Sequence, residues 1–161
     1  MLKEVVVSEV HFPDDERSVG VVLKEKDGER MMAIYVGHYE AQQMVLAMAG
    51  REAPRPLTHD LLLSVLSQLG GRLHGVAVTE IHDNTYYGNL IVRDPSGNPL
   101  RIDTRPSDGL VLALKEKVPI FVEEDLFPSL EEEGGEEESE GDDEEESIAD
   151  EDDGGDEDDD E

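Results

Sequence analysis

Between Glu131 and Glu161 the chain carries 22 acidic residues and no basic one, so whatever folds here must fold within residues 1–130. That stretch is relieved only by Gly, Ser, Ile148 and Ala149. It buries too little apolar surface to offset chain entropy and is expected to be a disordered tail over residues 131–161. The formal net charge of -29 therefore belongs mostly to the tail. Of 42 acids, 20 remain in residues 1–130 against 13 Lys plus Arg, a balance of seven negative charges. A single domain of that length can still build a proper core.

Cysteine is absent, which excludes disulfides, thiolate zinc sites and thiol nucleophiles. The opening M-L-K-E-V-V-V-S-E-V lacks the apolar core of a signal peptide, and no segment is long enough to span a bilayer. An acidic tail is also repelled by anionic lipid. A cytoplasmic protein without membrane contact is the expectation.

Within residues 1–130 the pattern reads as a duplication. Val7-Ser8-Glu9-Val10-His11 resembles Val78-Thr79-Glu80-Ile81-His82, and Ile34, Glu40, Met44 and Leu46 match Ile102, Asp108, Leu112 and Leu114 at a constant offset of 68. Each half reads as strand, hairpin, then helix. The hairpins turn at Lys26-Asp27-Gly28-Glu29 and at Asp94-Pro95-Ser96-Gly97-Asn98. A first helix carries Ala41, Met44, Val45 and Met48 at helical spacing and stops at Gly50. A middle helix begins at Thr58, with Leu61, Leu62, Val65, Leu66 and Leu69 on one stripe, and ends at Gly70-Gly71. The third, Leu110–Leu114, is apolar all round and should be the most buried. Lys115 and Lys117 complement its dipole before Pro119 ends it, and Ile120-Phe121-Val122 reads as a last strand. These elements predict an α+β fold: internally duplicated strand-hairpin-helix units, an extra middle helix, and a mixed or largely antiparallel sheet.

Polar chemistry concentrates in three segments. The first is I-D-T-R-P-S-D-G-L-V-L-A-L (102–114), a strand that runs through a polar turn into the third helix. Alternation on Leu100–Thr104 places Arg101, Asp103 and Arg105 on one face. Such a row reads equally well as a surface ion-pair ladder or as an acid beside phosphate-binding arginines. Ser107 and Asp108 are of the residue types that cap helices, and capping alone would explain them. Glu40 occupies the matching place in the first half, so a pseudo-twofold packing would bring two carboxylates together.

The second segment is P-R-P-L-T-H-D-L (54–61). Thr58 suits an N-cap and Asp60 a first turn, whereas His59 is not explained by capping. The third is I-H-D-N-T-Y-Y (81–87), where Asp83-Asn84 suits a turn, Asp83 could alternatively ligate a metal, and Tyr86 or Tyr87 could stack on a base. No zinc motif, nucleophile elbow, P-loop or dinucleotide fingerprint is present.

These segments, with P-I-F-V (119–122), resemble the bifunctional nuclease (BFN) domain family over essentially residues 1–127. The departures are small: Gly88 and Gly109 stand where the family usually has alanine, and Tyr86 where it usually has phenylalanine. The resemblance implies an α+β fold and, as for the plant members, degradation of both RNA and DNA. Attack on DNA cannot use a ribose 2′-OH, so water activated by Mg²⁺ or Mn²⁺ is the expected nucleophile. On this reading Asp83, Asp103 and Asp108 are metal ligands, with Glu40 as an alternative third. Arg105 clamps the scissile phosphate, and His59 serves as general acid or base. Arg55, Arg101, Ser107 and Tyr86 would contact substrate.

The charge balance opposes this, because nucleic-acid affinity comes mainly from Lys and Arg, and here they form no stripe. The competing expectation is a non-catalytic binding or assembly protein whose acidic tail binds a basic protein partner or solubilises the chain. Homo-oligomerisation is compatible with either.

Overall fold

The computed structural model describes residues 1–14 and 18–128; the acidic stretch from Glu131 lies outside them. Seven strands and three helices follow in the order β1 (Leu2–His11), β2 (Val19–Glu25), β3 (Met31–Val36), α1 (His38–Met48), α2 (Thr58–Gln68), β4 (Arg72–His82), β5 (Thr85–Arg93), β6 (Pro99–Thr104), α3 (Pro106–Glu116) and β7 (Ile120–Glu123). The sheet order is β3-β2-β1-β7-β4-β5-β6. Two antiparallel meanders, β1-β2-β3 and β4-β5-β6, are joined through β7, which pairs antiparallel with β1 and parallel with β4. The fold is thus α+β with a mixed, mainly antiparallel sheet. Among the described residues no helix is long and apolar enough to cross a membrane.

Strand patterning follows burial. On β3, Met32, Ile34 and Val36 are buried while Met31, Ala33 and Tyr35 are exposed, the period of a sheet with one covered face. The β4–β5 connection is a two-residue turn in which Asp83 and Asn84 both take positive φ, 48° and 57°. That conformation matches the strand twist, and Asp and Asn tolerate it better than other side-chain-bearing residues. In the β5–β6 loop Asp94 Oδ1 accepts the Asn98 N–H at 2.8 Å, and Gly97 has φ 85°.

Both halves run three strands and then a helix, and burial is alike at Glu40 and Asp108, Met44 and Leu112, and Leu46 and Leu114, but not at every matched position. Ile34 lies in the core, whereas Ile102 is exposed on an edge strand.

Helix α3 lies at the centre of the helical layer, with Leu110, Val111, Leu112 and Ala113 all buried. Lys117 ends it in the left-handed region, φ 57°, and the Val118 N–H returns to the Ala113 carbonyl at 3.1 Å. Helix α2 is tied to α3 by Lys115 Nζ donating to Asp60 Oδ1 at 2.8 Å, while Asp60 Oδ2 accepts the Leu57 N–H at 2.9 Å. Asp60 thereby satisfies one free donor of the α2 N-terminus. Thr58 does not cap it, because the helix already begins there, after Leu57.

Two expected apolar stripes are corrected. On α1 only Ala41 and Met44 of the four stripe residues are buried; Val45 and Met48 face outward. On α2 the inward residues are His59, Leu63 and Leu66, while Leu61, Leu62, Val65 and Leu69 are exposed. Periodicity located the helices correctly, but it overstated how much of each is covered by a neighbour.

Gly109 and Gly88 mark the tightest approaches near the β6–α3 junction. A Cβ on Gly109 would stand 2.7 Å from Val76 Cγ1, and one on Gly88 3.0 Å from the Ala77 carbonyl oxygen. The absence of a side chain at Gly109 leaves that space to Val76. Gly109→Ala is expected to lower stability by about 1 kcal/mol, overpacking outweighing the gain in helix propensity. In a Val76→Ala background the same change should cost less. Urea midpoints of the four proteins would check this, and equal costs in both backgrounds would refute the steric account.

Candidate active site

The site grows from the point where β6 meets α3. Arg105 follows the strand in an extended conformation (φ -64°, ψ 139°), and Pro106 opens the helix with its φ already suited to that position. Asp108 falls in the first turn of α3. Neither Ser107 nor Asp108 caps the helix: the N-cap residue is Arg105, and no side chain bonds the helix end. The carboxylate of Asp108 is used sideways. Its Oδ1 meets His59 Nε2 at 2.9 Å, and its Oδ2 accepts the Arg105 Nε–H at 2.7 Å. Arg105 Nη2 donates in turn to Glu40 Oε1 at 2.9 Å. The result is a linked row, His59–Asp108–Arg105–Glu40, drawn from the first turns of α2, α3 and α1.

Burial differs along the row. His59 is only 5% exposed, whereas the Arg105 side chain is 68% exposed. The outer ion pairs therefore contribute little to stability, while the His59–Asp108 contact is sheltered. Burial alone would raise the Asp108 carboxyl, but hydrogen bonds from Arg105 and His59 outweigh it and hold the group below the usual carboxylate range. Arg105 is pushed further up, first by Asp108 and then by Glu40. An ionised Asp108 accepts a hydrogen bond from the Nε2–H of His59, the tautomer that leaves the Nδ1 lone pair free. That Nδ1 is buried and has no hydrogen-bond partner among the described residues. Tyr39 stacks on the imidazole, with ring centroids 6.0 Å apart and planes 22° apart.

Beside the row opens a cleft of about 450 Å³, lined by Arg105, Pro106 and Ser107, by Val36 and Gly37 at the end of β3, and by Asn84, Thr85 and Tyr86 from the β4–β5 tip. Four of the expected residues, His59, Asp108, Arg105 and Glu40, are thus bonded into one group, and Tyr86 and Ser107 line the space next to it. The others stand apart. Asp83 is exposed at its turn, Arg55 is exposed ahead of α2, and Arg101 and Asp103 are exposed on β6.

The face shared by Arg101, Asp103 and Arg105 is corrected. Thr104, whose methyl lies near Gly109, points to the helix side, so Asp103 and Arg101 point the other way. Arg105 escapes the alternation because the strand has ended and its side chain turns to the helices. Among the described residues no three His, Asp or Glu side chains group so as to hold a metal ion. Asp83, Asp103 and Asp108 are not gathered, and both oxygens of Asp108 are engaged. This donor set does not fit a resident Mg²⁺ or Mn²⁺.

Tyr39 was missed in the sequence. Its only signal was an aromatic residue beside Glu40 in a helical first turn.

An α+β domain with a His–Asp pair and an arginine on the lip of a cleft is the class defined so far. The chain matches the bifunctional nuclease domain over residues 21–133. It is 35% identical over 121 residues to an uncharacterized protein of Mycobacterium tuberculosis, covering 75% of this chain and 71% of that one. It is 28% identical over 120 residues to Bifunctional nuclease 1 of Arabidopsis thaliana, covering 72% of this chain and 37% of the plant protein. A protein of Oryza minuta, Bifunctional nuclease, is 27% identical over 105 residues, covering 63% and 32% of the two chains. The chain belongs to the bifunctional nuclease domain family.

Replacing Asp108 by Asn tests the energetics of the row. At neutral pH Asp108→Asn is expected to lose ~1–2 kcal/mol of stability, because Arg105 and His59 lose a charged acceptor. The folded carboxyl titrates below the unfolded one, so its contribution is complete above the unfolded value and is lost as pH falls through the folded value. The stability gap between wild type and variant should therefore close on acidification. Urea titrations from neutral pH down to about pH 3 would measure it, and a pH-independent gap would contradict the assignment.

Proposed function

We propose that this chain is a nuclease that hydrolyses phosphodiester bonds in RNA and DNA with water as the nucleophile. The linked His59–Asp108–Arg105–Glu40 row, whose Arg105 lines the cleft, is the observation that carries this reading. Membership of the family and the names of its plant relatives support it.

In the proposed chemistry His59 is the general base through Nδ1, which must be uncovered from its buried position when substrate and the attacking water bind, and Asp108 is a positioning residue that fixes the tautomer and offsets the imidazolium. Arg105 Nη1, which makes no hydrogen bond among the described residues, contacts the non-bridging phosphate oxygens as negative charge builds there. Tyr86 offers an aromatic ring to a base, and Ser107 a hydroxyl, within the same cleft. No step runs through a resident metal, since the acids are not gathered for one. Mg²⁺ and Mn²⁺ enter only as arms of the assay. One arginine between two carboxylates leaves the row net negative while His59 is neutral. Binding should accordingly be weak and sensitive to salt.

A second reading is favoured by the buried Nδ1 of His59 and by the pairing of Arg105 with two carboxylates. In it the row only pins three helices together, and the chain is a non-catalytic binding or assembly protein. A basic protein partner for the acidic tail belongs to that reading.

One assay separates the two. Purified full-length chain is offered RNA and single-stranded DNA with Mg²⁺, Mn²⁺ or EDTA, alongside His59→Gln and Arg105→Gln preparations of verified fold. Loss of general acid–base catalysis should slow His59→Gln by about 10²-fold or more. Arg105→Gln should be slowed and should lose part of the salt dependence. Equal cleavage in all preparations, or none in any, would reject the enzyme; the latter is the outcome expected of the assembly protein.

A further inference from the structure

The two edges of the sheet are not alike. Beside β3, the β4–β5 tip and the segment after β7 close in: Ile34, Tyr35 and Val36 share a cleft with Asn84, Thr85 and Tyr86, and Met32 and Ala33 share another with Ile81 and Phe127. Among the described residues β6 has no such neighbour beyond β5. It is six residues long, starts at Pro99, and exposes apolar side chains, Leu100 at 45% and Ile102 at 44%. These two lie on the helix side with Thr104, but no helix covers them. Helix α2 adds exposed Val65 and Leu69, and it ends against the loop that feeds β6, since a Cβ on Gly70 would stand 3.1 Å from Pro95. Soluble monomers usually blunt a free edge with lysines or bulges and rarely leave apolar surface beside it.

The other face of β6 carries Arg101 and Asp103. Their partners on β5 are Ile91 and Asn89, so neither meets an opposite charge there, and neither is in an ion pair among the described residues. We propose that β6 pairs antiparallel with β6 of a second copy of this chain, about a twofold axis through Ile102. In that register Ile102 faces its own copy, Leu100 faces Thr104, and Arg101 faces Asp103 twice over. The strand is therefore self-complementary in charge, as an isologous interface requires. Moving the register by one residue sets Arg101 against Ile102 and forfeits both ion pairs. The pairing joins two sheets into one and covers Leu100 and Ile102. The two Arg105 positions then stand six residues apart along the joined strands, ~20 Å at ~3.4 Å per residue. None of this depends on nuclease activity.

Sedimentation equilibrium of the full-length chain at ~0.15 M salt, where the charges of the tail are largely screened beyond ~8 Å, reads the association. A dimer is expected. Arg101→Asp and Asp103→Arg each create two like-charge contacts and should weaken it by about tenfold or more, while the double swap Arg101→Asp/Asp103→Arg should restore it. The chain has no cysteine, so Ile102→Cys introduces a single thiol. Directly opposed residues have Cβ atoms ~5 Å apart, near enough for a disulfide after slight adjustment. Mild oxidation should link Ile102→Cys much faster than Val45→Cys, which is also exposed but on α1. A monomer at every concentration overturns the proposal. So does a dimer that ignores both single reversals, a double swap that fails to restore association, or equal linking rates at positions 102 and 45.

Discussion

Asp108 has two carboxylate oxygens, and the relation of three helices depends on how they are used. One meets the imidazole of α2, the other the guanidinium at the head of α3, and that guanidinium reaches the first acid of α1. Each partner sits in the first turn of its helix, so three N-terminal ends, with their unpaired N–H groups and positive dipole ends, are collected in one place. Carboxylates are favoured there. Glu40, Asp60 and Asp108 each occupy a first turn, and their engagement with Arg105 and Lys115 links the three helices side by side.

The same arrangement shapes what the site can offer a ligand. A lone arginine held by two acids is a poor magnet for a polyanion, and Arg55 and Arg101 stand apart from it. What the site does provide is orientation. A buried histidine has one nitrogen fixed by an ionised acid, beside a cleft whose walls come from both halves of the chain. This combination suits positioning and proton transfer better than long-range capture. Among the described residues, Asp83, Asp103 and Asp108, which the family resemblance made candidate metal ligands, are not gathered.

Much of the secondary structure was legible because local chemistry decides it. Gly50 and Gly70, both with positive φ, end α1 and α2 where expected, Asp83-Asn84 makes its turn, and the run Leu110–Leu114 lies within a buried helix that starts earlier, at Pro106. The convergence of Glu40 and Asp108 could be anticipated from matched positions in the two halves. Less legible was coverage. Periodic apolar residues such as Val45, Met48, Leu61 and Val65 announce a helix, but only the placement of neighbours determines which of them are enclosed. The direction of Arg105 was likewise hidden, because alternation holds only while a strand continues, and Pro106 ends this one.

From residues alone follow the elements, their order and the family resemblance, because propensity, turn chemistry and apolar period act over a few residues. The insertion of β7 between β1 and β4, the pairing of His59 with an acid 49 positions away, and the scattering of the three aspartates were settled in three dimensions. Those outcomes rest on contacts between segments that carry no signal of each other. They are chosen by whichever packing buries the most apolar surface while leaving each buried charge a partner.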